Sequence, residues 1–564
     1  MTTHNTPTIA AEALIMRLKA NGIDYLFANG GTDFAPIIEA YAIGGAKGSA
    51  MPQPVIIPHE TAAVAMAHGY YLATGRPQAV MVHVNVGLAN CIMGLINAAS
   101  ENIPMVVLAG RTPVTEHQRI GSRMSPIQYG QEMRDQSAMI RELVKWDYEL
   151  RYGEQVENLI DRAYTIAMSE PRGPVFLALP REPLAETMAE NWAAGRPRQV
   201  TPTAPQPDMK SIRKAAAMLA KAKTPLVICQ RGDPEGNTGR ALAKLAADFG
   251  LPVFEPWSNR NVLPTAHPMH CGFNYAPLIP EADVVLVIDS QVPWIQRSHQ
   301  PGPGAKVIHI GADPLFLRFP VHSFQIDLAI TSVSTSAIEA LRAEMAKLAP
   351  DTKMRYASIA ERNQQRRMDA QKKALAGNGS PMTPAFVSRC LSAALDKDAI
   401  HVSELGAEAE HLDLDTPNRF FTPAFSGGLG WGFPAALGAK LADRNRQVVA
   451  TVGDGCYMFA NPVACHQVAE AMNLPILVVV MNNGIWNAVR REVLAIYPKG
   501  EASKLQVLPI TSLSPSPDFA KIAEASRGWA ENVEKGADLP GAIQRALNVI
   551  KTEKRQALLN VNVS

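Results

Sequence analysis

The sequence predicts an α/β protein built from three doubly wound parallel-sheet domains. Two observations carry that expectation. Strand-length apolar runs alternate with helical stretches along the whole chain, a pattern that favours parallel sheets covered on both faces. Two joints then cut the chain into blocks of similar size. One is the Pro-rich stretch NWAAGRPRQVTPTAPQPD at 191–208 and the other the turn-rich GNGSPMTP. With 564 residues there is room for three or four domains on length alone. The expected limits are 1–190, 205–350 and 378–564.

In the first block, Thr8 is expected to cap a helix carrying Leu14 and Leu18, and Gly22 to end it. Strands are expected at Tyr25–Phe27, Val55–Ile57, Ala79–Val84 and Met105–Ala109. The second block offers Leu226–Cys229, Pro252–Phe254, Val284–Asp289 and Val307–Ile310, followed by a charged segment from Lys353 to Lys373. The third block, from about Pro381, offers Ala399–Ser403, Gln447–Val452, Ile476–Met481 and Ala557–Val561.

Composition excludes several classes. Hydrophobic residues at 47% and charged residues at 19% describe a folded chain, not a disordered one. A net charge of +2 with no Lys/Arg block gives no footprint for nucleic acid. The apolar runs are too short to span a membrane. None of the six cysteines lies in a CxxC pair, so reduced thiols and a cytoplasmic setting are expected.

The strongest chemical signal is QVVATVGDGCYMFANPVACHQVAEAMNLPILVVVMNNG, which reads strand, turn, helix, strand, turn. In a parallel βαβ unit both strands end on one side, so Asp454 and Asn482–Asn483 face one crevice. Mg²⁺ takes few protein oxygens and completes its octahedron with phosphate and water. Asp454, the Asn483 amide and the backbone carbonyl of Ile485 suit it. Gly453 and Gly455 would let backbone approach phosphate oxygens. A Gly-Asp-Gly turn alone carries no such weight; the added helix, strand and NNG do.

At these residues the chain resembles the thiamine-diphosphate-dependent family of acetolactate synthase, benzoylformate decarboxylase and pyruvate oxidase. The likeness extends to LFANGGTDFAPIIEA, PHETAAVAMAHGYYLATGRP, FSGGLGWGFPAALGAKLA, PDFAKIAEA and ALLNVNV. It implies a pyrimidine-binding, a central and a diphosphate-binding domain, with thiamine diphosphate and Mg²⁺ as cofactors. Asp454 to Asn483 spans 29 positions, longer than the family's spacing, with the difference expected at FANPVACHQ.

The resemblance also assigns roles. Glu60 matches the glutamate that hydrogen-bonds the cofactor's aminopyrimidine and so promotes loss of the thiazolium C2 proton. Gly427 supplies a carbonyl to the same ring, and Leu429 keeps the cofactor bent. Gly453, Gly455, Cys456, Asn483, Gly484 and Ile485 fall on the diphosphate side, joined by Glu404, Leu405 and Gly406. His83 matches an active-site histidine of the benzoylformate decarboxylase branch. Gln131, reached through a one-residue gap in SPIQYGQEMRDQS, matches a pocket glutamine of the acetolactate synthase branch.

Other positions depart from the pattern. Thr32 stands where relatives carry Ser or Asp. Glu116–His117–Gln118 replaces the histidine pair of pyruvate decarboxylase. VFEPWSNRNVLP lacks the RFDDR-like segment of flavin-containing relatives, which argues against FAD. Trp486 and Arg490 are candidates for the pocket mouth.

The expected substrate is a 2-oxo acid or a 2-hydroxyacyl compound. Acetolactate-synthase-like carboligation after decarboxylation is the first reading. Alternatives are non-oxidative decarboxylation, cleavage of a 2-hydroxyketone or 2-hydroxyacyl-CoA, and cofactor binding without turnover. A nucleotide-binding oxidoreductase is disfavoured because NGGTDF replaces GxGxxG after the first strand. A homodimer or homotetramer is implied, because in the family Glu60 and Asp454 reach one cofactor from different subunits.

Overall fold

The computed structural model describes residues 7–189, 197, 199–423 and 425–564. Part of the expected joint, residues 190–196 and 198, lies outside the described residues, as do positions 1–6. Residues 199–208 carry neither helix nor strand.

The first sheet contains β1 (Tyr25–Ala28), β2 (Gln53–Ile56), β3 (Ala79–Val82), β4 (Val106–Arg111), β5 (Asp147–Glu149) and β6 (Val175–Pro180). Its order is β2-β1-β3-β4-β6-β5, and every pairing is parallel. The central sheet is β7 (Pro225–Cys229), β8 (Val253–Phe254), β9 (Val284–Ile288), β10 (Lys306–Gly311) and β11 (Leu328–Thr331), in the order β11-β10-β9-β7-β8. The last is β12 (Ile400–Glu404), β13 (Phe420–Phe421), β14 (Val448–Gly453), β15 (Leu477–Asn482), β16 (Trp529–Val533) and β17 (Ala557–Asn562), in the order β13-β12-β14-β15-β17-β16. The three-domain parallel α/β expectation therefore holds.

Central strands β3, β4, β7, β9 and β15 are buried along nearly their whole length, which is why they read as continuous Val/Ile/Leu runs. The strands missing from the sequence reading include the half-exposed edges β5, β11 and β16. The segment from Lys353 to Lys373 lies within one helix, Lys353–Leu375. The Ala10–Ala20 helix is not capped by Thr8. Ile9 occupies the cap position, and the Thr8 amide donates to Glu12 Oε2 at 2.6 Å.

One hydrophobic core runs from the first sheet into the last, including Val64, Met66, Phe433, Leu437 and Val478. Its seam is the Glu60–Thr74 helix against the Gly432–Ala442 helix. A Cβ on Gly69 would sit 1.9 Å from the Ala435 carbonyl oxygen, and one on Gly438 would sit 2.0 Å from that of Met66. Each helix thus presents bare backbone where its partner's carbonyl passes. The central sheet has its own core around Leu242, Val253 and Leu286.

Candidate active site

Three groups of expected site residues gather at the carboxyl ends of the outer sheets. The first surrounds Glu60, which opens its helix with His59 as the cap residue. Glu60 is 8% exposed, and its Oε2 accepts from Asn90 Nδ2 at 3.0 Å. Gly87 lies so close that a Cβ there would meet Glu60 Oε1 at 3.2 Å.

Beside it stands His83. The sequence reading placed it inside a strand running to Val84; in fact β3 ends at Val82 and His83 caps the Val84–Ser100 helix. Val84 has φ +31°, so the chain turns sharply here. His83 Nδ1 lies 2.5 Å from Asp33 Oδ1, and its Nε2 lies 3.2 Å from Gln131 Nε2. The Asp33 hydrogen bond holds the imidazole pKa above its ordinary value. Burial opposes the shift, and the negative charges of Asp33 and Glu60 add to it.

Gln131 is steadied by its neighbour. Glu132 accepts from Arg111 at 2.7 Å and from Thr112 Oγ1 at 2.6 Å, and also from Arg123. The two candidates His83 and Gln131, drawn from different branches of the family, therefore meet in one network. Asp33 escaped the sequence reading, which stopped at its neighbour Thr32. An acidic residue one position further along the same loop was the available signal.

The second group lies in the loop after β13. Gly427 is exposed, with φ +66° and no atom within 4 Å of where a Cβ would stand. Asn97 holds the next residue from the first domain, donating to the Gly428 carbonyl at 2.9 Å and accepting from Ser426 Oγ at 2.6 Å. Leu429 is half-buried against the shared core.

The third group lies between β14 and β15. Asp454 Oδ1 accepts from the Gly455 amide and Oδ2 from the Gly484 amide, each at 2.8 Å. Burial pushes the Asp454 carboxyl pKa up, while those amides oppose the shift. Asn483 Oδ1 accepts from the Ile485 amide at 3.0 Å, and the Ile485 carbonyl accepts from Asn487 at 2.9 Å. A desolvated carboxylate, an amide oxygen and a carbonyl from two adjacent strand ends form an all-oxygen set suited to a hard divalent cation. Among the described residues no group of three or more His, Cys, Asp or Glu could hold a metal. The helix after Asp454 is broken where the extra spacing was expected. It runs Asp454–Phe459, turns through left-handed Asn461 and resumes at Pro462–Ala471.

Several expected diphosphate-side residues have structural engagements. Glu404 is buried and clasps the loop after β13, accepting from the Gly430 amide at 2.8 Å and the Gly432 amide at 2.6 Å. Burial raises its pKa to about 7. Leu405 adopts φ +54° and is 65% exposed, while Gly406 packs against the Thr451 carbonyl. Gly455 makes room for Trp486, whose ring would lie 2.2 Å from a Cβ there and meets Phe459 edge-on. Gly453 has only ordinary contacts at 3.7 Å and beyond. Cys456 is buried beside Glu404, and burial raises its thiol pKa. Trp486 and Arg490 are half-buried.

A cavity of about 740 Å³ lies elsewhere, between the central sheet and the first domain. Its lining includes Tyr71, Arg231 and Asp289, and Ser426 from the loop after β13, but not Glu60, His83, Gln131 or Asp454. Among the described residues, no helix is long and apolar enough to cross a membrane.

Three family models match in order. They are the thiamine pyrophosphate enzyme N-terminal TPP-binding domain at residues 9–139, the central domain at 212–341 and the C-terminal TPP-binding domain at 405–561. Benzoylformate decarboxylase of Pseudomonas aeruginosa is 26% identical, with 94% of this chain and 95% of that protein covered. The acetolactate synthase large subunit of Haemophilus influenzae is 24% identical over 98% and 94%. The structure of a thiamine-diphosphate-dependent 4-hydroxybenzoylformate decarboxylase from Rhodococcus jostii RHA1 superposes with a TM-score of 0.78. It covers 99% of each chain at 23% identity, a likeness of fold. The three matched segments fall in turn within the first, central and last domains, and the chain belongs to the thiamine-pyrophosphate-dependent enzymes, as an enzyme of the lyase or transferase type.

Proposed function

We propose that this protein is a thiamine-diphosphate- and Mg²⁺-dependent decarboxylase of a 2-oxo acid that releases the aldehyde. The observation that carries the choice is the Asp33–His83 pair beside Glu60, with Asp33 buried and His83 half-buried. It provides a proton-bearing group where a carbanion needs quenching.

In this reading residues 1–190 bind the pyrimidine side, 205–350 form the central domain and 378–564 bind the diphosphate. Glu60 and the Gly427 carbonyl hold the aminopyrimidine, and Leu429 supports the bend. Asp454, Asn483 and the Ile485 carbonyl hold Mg²⁺. Gly453, Gly455, Cys456 and Gly484 border the diphosphate, with Leu405 and Gly406 nearby and Glu404 acting from behind the loop. When bound, the cofactor supplies an electron sink for the electron pair left as CO₂ departs. Glu60 holds and moves a proton at its carboxylate, which Asn90 orients. His83 supplies a proton at Nε2. The active unit is a homodimer or homotetramer.

A second reading is carboligation, in which a second carbonyl takes the place of the proton. Gln131 beside His83 and the acetolactate synthase relative favour it. The test is a panel of 2-oxo acids, alone and with aldehydes, in thiamine diphosphate and Mg²⁺, with products identified by mass spectrometry. Aldehyde with CO₂ is expected. Hydroxyketone as the main product would replace decarboxylation by ligation. Cleavage of hydroxyketones without CO₂ release from any 2-oxo acid would overturn both.

A further inference from the structure

Asp33 and His83 are fitted to each other by the backbone around them. Asp33 lies in the Thr32–Phe34 turn after β1, and His83 follows β3, the neighbouring strand. Asp33 is 3% exposed, and its Oδ2 also accepts from the Val84 amide at 3.2 Å. Two glycines leave the pair its space. A Cβ on Gly31 would stand 2.1 Å from His83 Nδ1, and one on Gly110 would stand 1.6 Å from Asp33 Oδ2. Buried Arg181 donates to the Thr32 carbonyl at 3.2 Å and lies within the field of Asp33.

We propose that Asp33 is the positioning residue for His83. It fixes the proton on Nδ1, aims Nε2 at the reacting carbon and keeps a transferable proton there, so directing the reaction to aldehyde. This rests on the decarboxylase reading above.

An ionised carboxylate only accepts, so His83 Nδ1 donates to Asp33 in either charge state of the ring. The variable proton is therefore the one on Nε2. In the transfer the Nε2–H bond breaks and a C–H bond forms at the carbon that lost CO₂. The ring becomes neutral with Nδ1–H still on Asp33, and solvent returns the proton. Gln131 can serve both states, its amide oxygen accepting from Nε2–H and its NH₂ donating to bare Nε2. The charges facing the ring are Asp33 and Glu60, both favouring the imidazolium, with Arg181 moderating Asp33.

The test has two arms. On cofactor-free protein, ¹⁵N NMR of the imidazoles, assigned with His83→Gln, follows His83 titration. Asp33→Asn is expected to lower its pKa by about one unit, the scale of losing a neighbouring charge. On the holoenzyme, Asp33→Asn is expected to cut aldehyde release by about 10²-fold, the low end for losing an acid–base group. CO₂ release coupled to an artificial electron acceptor should fall far less, because oxidation then takes the place of the proton. The basic limb of the aldehyde pH profile should move to lower pH. Adding Asp33→Asn to His83→Ala should cost little more than His83→Ala alone. Asp33→Ser serves if Asp33→Asn does not fold. An unmoved His83 titration, or additive losses in the double variant, would overturn the proposal. If the titration moves but the wild type makes no aldehyde from any 2-oxo acid, the positioning stands and the decarboxylase reading fails.

Discussion

The first and last sheets have one topology and two chemistries. Numbered within each domain, both run 2-1-3-4-6-5. The second strand of each leads towards one of the two helices that cross at Gly69 and Gly438. Equivalent strand ends nonetheless carry different groups. The third strand delivers His83 in the first domain and Asp454 in the last. The segment after the second strand delivers Glu60 in one and the Gly427–Leu429 loop in the other. Parallel sheets collect ligands at their carboxyl ends whatever the side chains. In the proposed reading the side chains then decide whether that end moves protons or holds an anion with its cation. The central sheet repeats that order through its fourth strand, reading 2-1-3-4-5, yet carries none of these groups.

Breaking each end separately sharpens the contrast. The largest effect is expected from Glu60→Gln, which should lower 2-oxo-acid turnover by about 10²–10⁴-fold with cofactor binding largely kept. CO₂ release and a binding titration check the two halves of that statement. Next, the inactive Glu60→Gln and Asp454→Ala chains should complement when refolded together. Random pairing makes roughly half the dimers mixed, each with one intact site, so about a quarter of wild-type activity should return. Verified mixed dimers without activity would place both ends of each site in one subunit.

The helix seam predicts a smaller loss. Gly69→Val and Gly438→Val each push a side chain into a carbonyl and should cost about 1–3 kcal/mol in urea unfolding, to a similar extent. Neutral variants would mean that the helices pack less closely than the 1.9 and 2.0 Å approaches imply. The smallest effect concerns Glu404. Its raised pKa, about 7, means the folded protein keeps a proton that the unfolded chain releases near pH 4.5. Stability from this group therefore declines as pH rises through that window. Melting should fall less between pH 5 and 7.5 in Glu404→Gln than in the wild type, by about 2–4 °C.

How much of this was legible in the sequence follows from where the signal resides. Fully buried strands such as Leu477–Asn482 announced themselves as unbroken apolar runs, and Asp454 with Asn483 followed from the strand ends. Edge strands Asp147–Glu149 and Trp529–Val533 are polar and half-exposed, so no apolar pattern marks them. Phe420–Phe421 is too short to carry a pattern. Val175–Pro180 is fully buried and its apolar run was a readable signal that was passed over. Side-chain direction was the harder loss. Glu404 was expected towards the diphosphate, yet its carboxylate turns to the Gly430 and Gly432 amides, which a sequence does not order in space. Asp33 was invisible for the same reason. Its partner lies 50 positions away, across the β1–β3 pairing.

One cofactor held at the Asp454 end through a metal is the central claim, and calorimetric titration with thiamine diphosphate tests it most directly. The wild type should bind in Mg²⁺, and chelation should weaken binding by about 10²-fold, the scale of removing one partner of a buried charge pair. Asp454→Ala should start at that weakened affinity and lose little more on chelation. Binding by the chelated wild type and by Asp454→Ala as tight as that of the wild type in Mg²⁺ would contradict the assignment of that strand end.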